Sequence, residues 1–261
     1  MDFGARRPAS PCPKPRSARV LTGARARLTA RRVRVLAMDT STDLGSVAVV
    51  IDGALSAELA AKVRARHGET LLPLIGAALD HAGLAREDVE LIAVGVGPGS
   101  FTGTRIGLAT AKGLALALDR PLVGVSSLRA IARAAPGAWV VPVVDAHKGE
   151  VYAAAYERAG ASLVERLAPF HAVPSEAFAT LRAVLPPEGV VACGSGLRRY
   201  PDAVDPALEL LPPLFDAPRA AILALEAEER VAAHGPDDRA ALEPLYVRGA
   251  DAVLPGAQSD S

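Results

Sequence analysis

The chain has 261 residues, half of them apolar, enough to bury one large core or two modest ones. Residues 1–34 hold nine Arg, one Lys and a single Asp, so the rest of this formally neutral chain has 19 basic against 28 acidic residues, a net charge of −9. A body this acidic is a poor platform for neutralising phosphates by itself.

Residues 1–32 have no apolar periodicity and are rich in Arg, Ala and Pro, which predicts a disordered extension. An organelle transit peptide, a basic arm that touches nucleic acid, a later start of translation and a tail without function all fit it. No apolar stretch suits a signal peptide or a membrane span, so a cytoplasmic location is expected. Cys12 and Cys193 suggest neither a disulfide framework nor a metal site. The five His, at 67, 81, 147, 171 and 234, form no HxxxH pair.

A first lobe is predicted over residues 33–136. Val33 to Met38 is a strand ending in Asp39-Thr40-Ser41-Thr42, Gly45 to Asp52 a second that turns at Asp52-Gly53, and Leu55 to Ala60 a third. A helix follows near Glu69 to Ala82, with Pro73 in its first turn, Leu72, Ile75 and Leu79 on one face and Gly83 at its end. The apolar strand Leu91 to Val96 then enters Gly97-Pro98-Gly99-Ser100-Phe101-Thr102-Gly103. A helix from Thr104 to Leu118 opens directly out of that loop, with Thr102 or Thr104 as its cap and Ile106, Ala109, Gly113 and Ala117 on one stripe. After the strand Leu122 to Val125, Ser126 and Ser127 cap a short helix ending near Pro136.

A second lobe is predicted over residues 137–216. Ala138 to Val144 pairs with Glu150 to Tyr156 across His147-Lys148-Gly149, residues 169 to 187 read as weakly helical, and Val190 to Cys193 is a strand ending in Gly194-Ser195-Gly196. Ala217 to Ala233 is an amphipathic helix, with Ile222 and Leu225 opposite Glu226 and Glu229. Residues 254–261 read as a loose tail.

The loop at 97–103 is the most informative segment. Gly97, Gly99 and Gly103 permit backbone angles that other residues resist, and Pro98 stiffens the turn. Two readings stay open: a tight strand-to-helix connection with no ligand, or exposed N–H groups at a helix start that suit an anion or a partner's carboxylate. The pattern is neither a P-loop nor a dinucleotide fingerprint. Two glycines inside the next helix each cost about 0.5 to 1 kcal/mol relative to Ala, so close approach of another element is expected, either this lobe's own sheet or a second protein.

The segment GPGSFTGTRIGLATAKGLALAL followed by PLVGVSSL resembles the signature of the bacterial TsaB family, formerly YeaZ. VLAMDTSTDLGSVAVV, HGETLLPLIGAALDHAGL, DAHKGEVYAAAYE and EPLYVRGA resemble its other landmarks, in order, from Val35 to about Asp251. The resemblance implies an α/β protein of the actin-like ATPase fold (the sugar kinase, Hsp70 and actin group), with two lobes of mixed sheet and flanking helices. Residues 217–253 are then expected to return to the first lobe. It also implies a non-catalytic role in forming N6-threonylcarbamoyladenosine at position 37 of tRNA. TsaD and TsaE are the implied partners, a homodimer is an alternative pairing, and tRNA is reached only through the complex.

By the same resemblance, His67, Glu69, Leu72, Ile75, Gly107, Ala111, Gly113 and Leu114 are candidate interface residues on two pairing helices. Gly97, Pro98, Gly99, Ser100, Phe101, Thr102, Gly103 and Arg105 form the adjoining loop. An Arg at a helix start works against the dipole, which points to a nearby acid or phosphate. Asp39, Thr40 and Ser41, with Asp145, mark a vestigial phosphate site. Asp39 with its hydroxyls suits either Mg²⁺ through water or a strand-end turn. No tightly bound cofactor is expected: at most weak ATP or ADP, with Mg²⁺ only through the nucleotide. The metal-binding HxxxH implied for TsaD falls on Ser127 and Ile131, which cannot replace imidazole. Two other classes compare less well. A free-standing sugar or acyl kinase needs intact phosphate segments and a base such as Asp39 or Asp145, and a metalloprotease needs HExxH, which is missing.

Overall fold

The computed structural model describes residues 33–62 and 67–247, and for His67 the backbone alone. The expected extension at 1–32, the tail at 254–261, Cys12 and the side chain of His67 lie outside the described residues.

Strands β1 (Arg34–Asp39), β2 (Leu44–Ile51), β3 (Ala54–Lys62), β4 (Leu91–Gly95) and β5 (Leu122–Val125) form one sheet in the order β3-β2-β1-β4-β5. The first three are antiparallel, and β1, β4 and β5 are parallel. The β2–β3 turn has Asp52 and Gly53 at φ 54° and 74°, the left-handed pair that matches the twist of a tight hairpin. A second sheet repeats this topology. Strands β6 (Trp139–His147), β7 (Glu150–Ala159) and β8 (Ser162–Ala172) are antiparallel, while β9 (Val190–Cys193) and the short β10 (Glu209–Leu210) run parallel to β6, giving β10-β9-β6-β7-β8. Two mixed sheets with flanking helices make up the actin-like α/β fold expected from the sequence.

The central strands read as continuous apolar runs because both faces are buried. In the first sheet, Leu36, Met38, Val47, Val49, Ile92 and Val94 face helices α1 (His67–Ala82) and α2 (Phe101–Ala117). The alternate residues Val35, Ala37, Ala48, Val50, Leu91 and Ala93 face α6 (Ala220–His234), through Ala220, Leu223, Ala224 and Ala227. The last helix thus returns to the first sheet. Glu58 on β3 fixes its start, accepting from the Ala221 N–H and pairing with Arg219. In the second sheet, α4 (Pro174–Arg182) covers one face through Ala177, Phe178 and Leu181.

Between the sheets lies α3 (Ser127–Ala134), N-capped by Ser126 as expected. Its Leu128, Ile131 and Ala132 enter a core with Val140, Val144 and Tyr156, while Ala130 packs with the first sheet. Arg158 of β7 donates to the carbonyls of Ala132, Arg133, Ala135 and Gly137, satisfying the open end of the helix. Arg129 and Arg133 both bind Glu226 of α6, at 2.6 and 2.9 Å. Glu226 is therefore 6% exposed, not on a solvent face as periodicity suggested.

Several boundaries differ from the sequence reading. Pro73 is the seventh residue of α1, inside the helix, where it removes one backbone donor on the exposed side. The core face of α1 is Leu71, Ile75, Ala78 and Leu79, and Leu72 is 57% exposed. Strand β8 replaces the start of the segment read as helical. It is an edge strand whose Glu165 and Arg166 blur the alternation, and Pro169 is tolerated there.

Cys193 is buried at the end of β9, where burial, reinforced by Asp216, pushes its thiol up to about 12. At pH 8 a thiol this protonated and enclosed is unreactive. A Cys12→Ser variant is expected to give no reaction with a chromogenic disulfide reagent until denatured; rapid native labelling would contradict the placement of β9.

Candidate functional site

The site is built where β1 and β4 end and α2 begins. Helix α2 starts at Phe101, three residues before the expected Thr104, and its N-cap is Ser100, whose Oγ accepts from the Gly103 N–H at 3.2 Å. Thr104 is buried beneath the loop and Thr102 is exposed, so neither caps the helix. The Gly97–Pro98 bond is cis, and Gly97 has φ 86°.

The loop seats flush on the turn after β1. The Ser100 N–H donates to the Ser41 carbonyl at 2.7 Å, and Thr40 Oγ1 donates to the Gly103 carbonyl at 2.7 Å. A Cβ on Gly99 would lie 2.2 Å from the Ser41 carbonyl oxygen, one on Gly103 2.0 Å from that of Thr40, and one on Gly107 2.3 Å from Thr40 Oγ1. These glycines are required by close approach of backbone to backbone. The contact behind Gly107 and Ala111 is this lobe's own sheet, so both leave the set of interface candidates, as does Ile75, which is 4% exposed in the core.

Four N–H groups of the loop and the helix start are engaged within the chain. Gly97 N–H goes to Ser127 Oγ, Ser100 N–H to Ser41, Gly103 N–H to Ser100 Oγ and Thr104 N–H to the Ser100 carbonyl. Asp39 is fully buried: Oδ1 accepts from the Ser41 N–H and hydroxyl, and Oδ2 from Ser127 Oγ at 2.7 Å. Asp39, Thr40 and Ser41 therefore tie the β1 turn to the loop and α3, and they do not fit a nucleotide-bound Mg²⁺, which needs carboxylate oxygens open to it. Asp145 is elsewhere, half-buried at the β6 end, accepting from the His147 N–H and the Tyr200 hydroxyl. Ser127, the first place expected to correspond to a metal-binding His, is 1% exposed and bonded to Asp39, and Ile131, the second, is in the core.

The outward face differs in character. Phe101, Thr102, Arg105, Ala109, Gly113, Leu116 and Ala117 are exposed along α2, and Gly68, Glu69, Leu72 and Pro73 along α1; Leu114 is half-buried against the core. Among the described residues, nothing lies within 4 Å of the position a Cβ would take at Gly68, Gly76 or Gly113. Leu72 and Leu116 are 57% and 74% exposed. Among the described residues Arg105 meets aromatic rings: its guanidinium lies 3.6 Å over the Phe101 ring, and Nε donates to Tyr246 Oη at 2.8 Å. Tyr246 was not a candidate in the sequence, where 141 residues separate it from Arg105.

The model of the family described as TsaD, tRNA N6-adenosine threonylcarbamoyltransferase, matches residues 59–193, just over half of the chain. A Pseudomonas aeruginosa crystal structure, described as an uncharacterized protein with similarity to peptidase YeaZ, superposes with a TM-score of 0.72 at 30% identity, over 83% of this chain and all of that one. The chain belongs to the TsaB/YeaZ family. A second TsaB/YeaZ structure, YeaZ from Pseudomonas aeruginosa, gives a TM-score of 0.70 at 29% identity over 82% of this chain and 99% of that one. The Escherichia coli tRNA threonylcarbamoyladenosine biosynthesis protein TsaB is 41% identical over 133 residues, 48% of this chain and 56% of that protein. The Bacillus subtilis TsaB is 35% identical over 138 residues, 52% and 59% of the two chains. This TsaB/YeaZ chain thus spans little more than half the length of the curated relatives it matches. No helix among its described residues is long and apolar enough to cross a membrane.

Proposed function

We propose that this chain is a non-catalytic subunit of the cytoplasmic machinery that forms N6-threonylcarbamoyladenosine at position 37 of tRNA. It pairs with TsaD through the outward face of α1 and α2, with TsaE as third component and tRNA contacted only through the complex. Without TsaD, the same face pairs two copies of this chain. The observation that carries this reading is Gly113, with Gly68 and Gly76. A helix-interior glycine such as Gly76 or Gly113 costs about 0.5 to 1 kcal/mol relative to Ala, and among the described residues nothing fills the space beside these three. Approach of another helix supplies the missing reason, and exposed Leu72 and Leu116 supply apolar area for it.

The names of the Escherichia coli and Bacillus subtilis relatives support the tRNA role, and Ser127 and Ile131 at the places of the metal ligands support its being accessory. Any nucleotide is held weakly in this reading, because Asp39 is turned inward. Reconstitution of tRNA modification with and without this chain, together with an ATPase assay of the chain alone, tests it. Modification should require both proteins. Modification by the chain alone, or rapid turnover of ATP or a phosphorylated substrate, would overturn it.

Gly113→Leu places a side chain on the open face without touching the core. Its melting curve should match wild type while affinity for TsaD falls at least about tenfold, the equivalent of 1.4 kcal/mol. Wild-type capture of TsaD would remove this face from the interface.

A further inference from the structure

The described C-terminal segment runs back along α2. Asp237 bridges Leu122, Arg239 donates to the Ala115 carbonyl at 2.8 Å, and Lys112 donates to the Ala240 carbonyl at 3.2 Å. Leu242 joins the core under the loop, and the Leu245 N–H donates to the Val96 carbonyl at 2.7 Å. These contacts deliver Tyr246 to the start of α2. There the Phe101 and Tyr246 rings are 6.0 Å apart, and Arg105 is held by the Phe101 face and the Tyr246 hydroxyl.

From this arrangement we propose that Arg105 is a preformed receptor for a carboxylate on the partner subunit, assembled only when the C-terminal segment is seated. The proposal rests on the docking reading above and names the chemistry at one end of that surface. Arg105 has no carboxylate partner among the described residues, and its guanidinium is held by the Phe101 ring and the Tyr246 hydroxyl. With Nε taken by Tyr246, the two terminal amino groups remain as a fork of donors suited to a carboxylate. Stacking on Phe101 fixes the plane of that fork, so little conformational freedom is lost on binding. Phe101 and Tyr246 are 57% and 49% exposed, and exposed aromatics around an Arg have the composition of interface anchors. A nucleotide phosphate is the competing occupant, with fewer backbone donors left to it because the N–H groups of Gly97, Ser100, Gly103 and Thr104 are engaged.

Affinity for purified TsaD is the test, measured for the full chain and for Arg105→Ala, Arg105→Lys, Arg105→Glu, Tyr246→Phe and Gly113→Leu. Arg105→Ala and Arg105→Lys should each weaken pairing about 10- to 100-fold, and Tyr246→Phe about 3- to 10-fold, mostly through faster dissociation. Melting curves should remain those of wild type. Arg105→Glu should bind worst and regain affinity when one Asp or Glu on the partner's contacting element is changed to Arg. Wild-type pairing by Arg105→Ala alongside weak pairing by Gly113→Leu would overturn the receptor and leave the docking face standing. Wild-type pairing by both would remove the docking reading itself. Loss of ATP or ADP binding by Arg105→Ala with pairing intact would assign the anion to a nucleotide and overturn the carboxylate.

Discussion

Gly103→Ala is expected to destabilise the protein by about 3 kcal/mol, at the upper end of what overpacking a tight contact costs. The new methyl group would lie 2.0 Å from the Thr40 carbonyl oxygen and 3.2 Å from Ser100 Oγ. Its main obstacle is backbone, which cannot rotate away as a side chain can. The first turn of α2 must therefore lift from the β1 turn, lengthening the Thr40–Gly103 and Ser41–Ser100 hydrogen bonds together. Buried groups left without partners cost about 1 to 3 kcal/mol each, so partial loss of two such bonds is enough for the expected effect. Lifting α2 would also displace Arg105, and the proposed pairing with TsaD should fall further than stability alone explains. Gly113→Ala is the contrast. It should be neutral or stabilise by up to about 1 kcal/mol, since nothing lies within 4 Å and Ala is the better helix former. Urea unfolding of both variants checks the pair, and a Gly103→Ala midpoint equal to wild type would contradict the flush seating of the loop.

Loss of Glu226 is expected to be nearly as severe. Its carboxylate is 6% exposed and accepts from Arg129 Nε and Arg133 Nη1, joining α6 of the first sheet to α3 between the two sheets. Removing one partner of a buried ion pair typically costs about 3 to 5 kcal/mol, because the remaining charge stays buried. Here Arg133 keeps Glu229 and Arg129 keeps the Leu163 carbonyl, so about 2 to 4 kcal/mol is expected for Glu226→Ala. Glu229, about half exposed, should cost under about 1 kcal/mol when replaced by Ala. Equal losses at the two positions would mean that α3 and α6 are held together by apolar packing alone.

Much of the frame was legible because local chemistry dictates it. Asp52-Gly53 and Lys148-Gly149 adopt the left-handed angles of hairpin turns, Gly83 ends α1 at φ 67°, and Ser126 caps α3 as a short polar side chain before a helix does. The choice of face was not legible in α1. Leu71, Leu72, Leu74 and Ile75 form too dense an apolar run for periodicity to select its phase, and contact with β2 and β3 places Leu71 inward and Leu72 outward. Of the eight residues read as an interface on α1 and α2, Ile75, Gly107 and Ala111 are buried within this lobe. Gly107 packs on Thr40 of the β1 turn and Ala111 on this lobe's own sheet, while Gly113, on the opposite side of the helix from Ala111, has open space among the described residues.

What the sequence determined alone was the order of strands and helices in the first lobe, the glycine-punctuated junction of β4 with α2 and the family, since each rests on residues adjacent in the chain. Tertiary structure alone decided that Asp39 turns inward to Ser41 and Ser127, that Glu226 is buried between two arginines, and that Tyr246 holds Arg105. The physical reason is one of range. A turn or a cap is satisfied within a few residues, whereas the burial and pairing of a polar side chain depend on which distant segment the folded sheets bring against it.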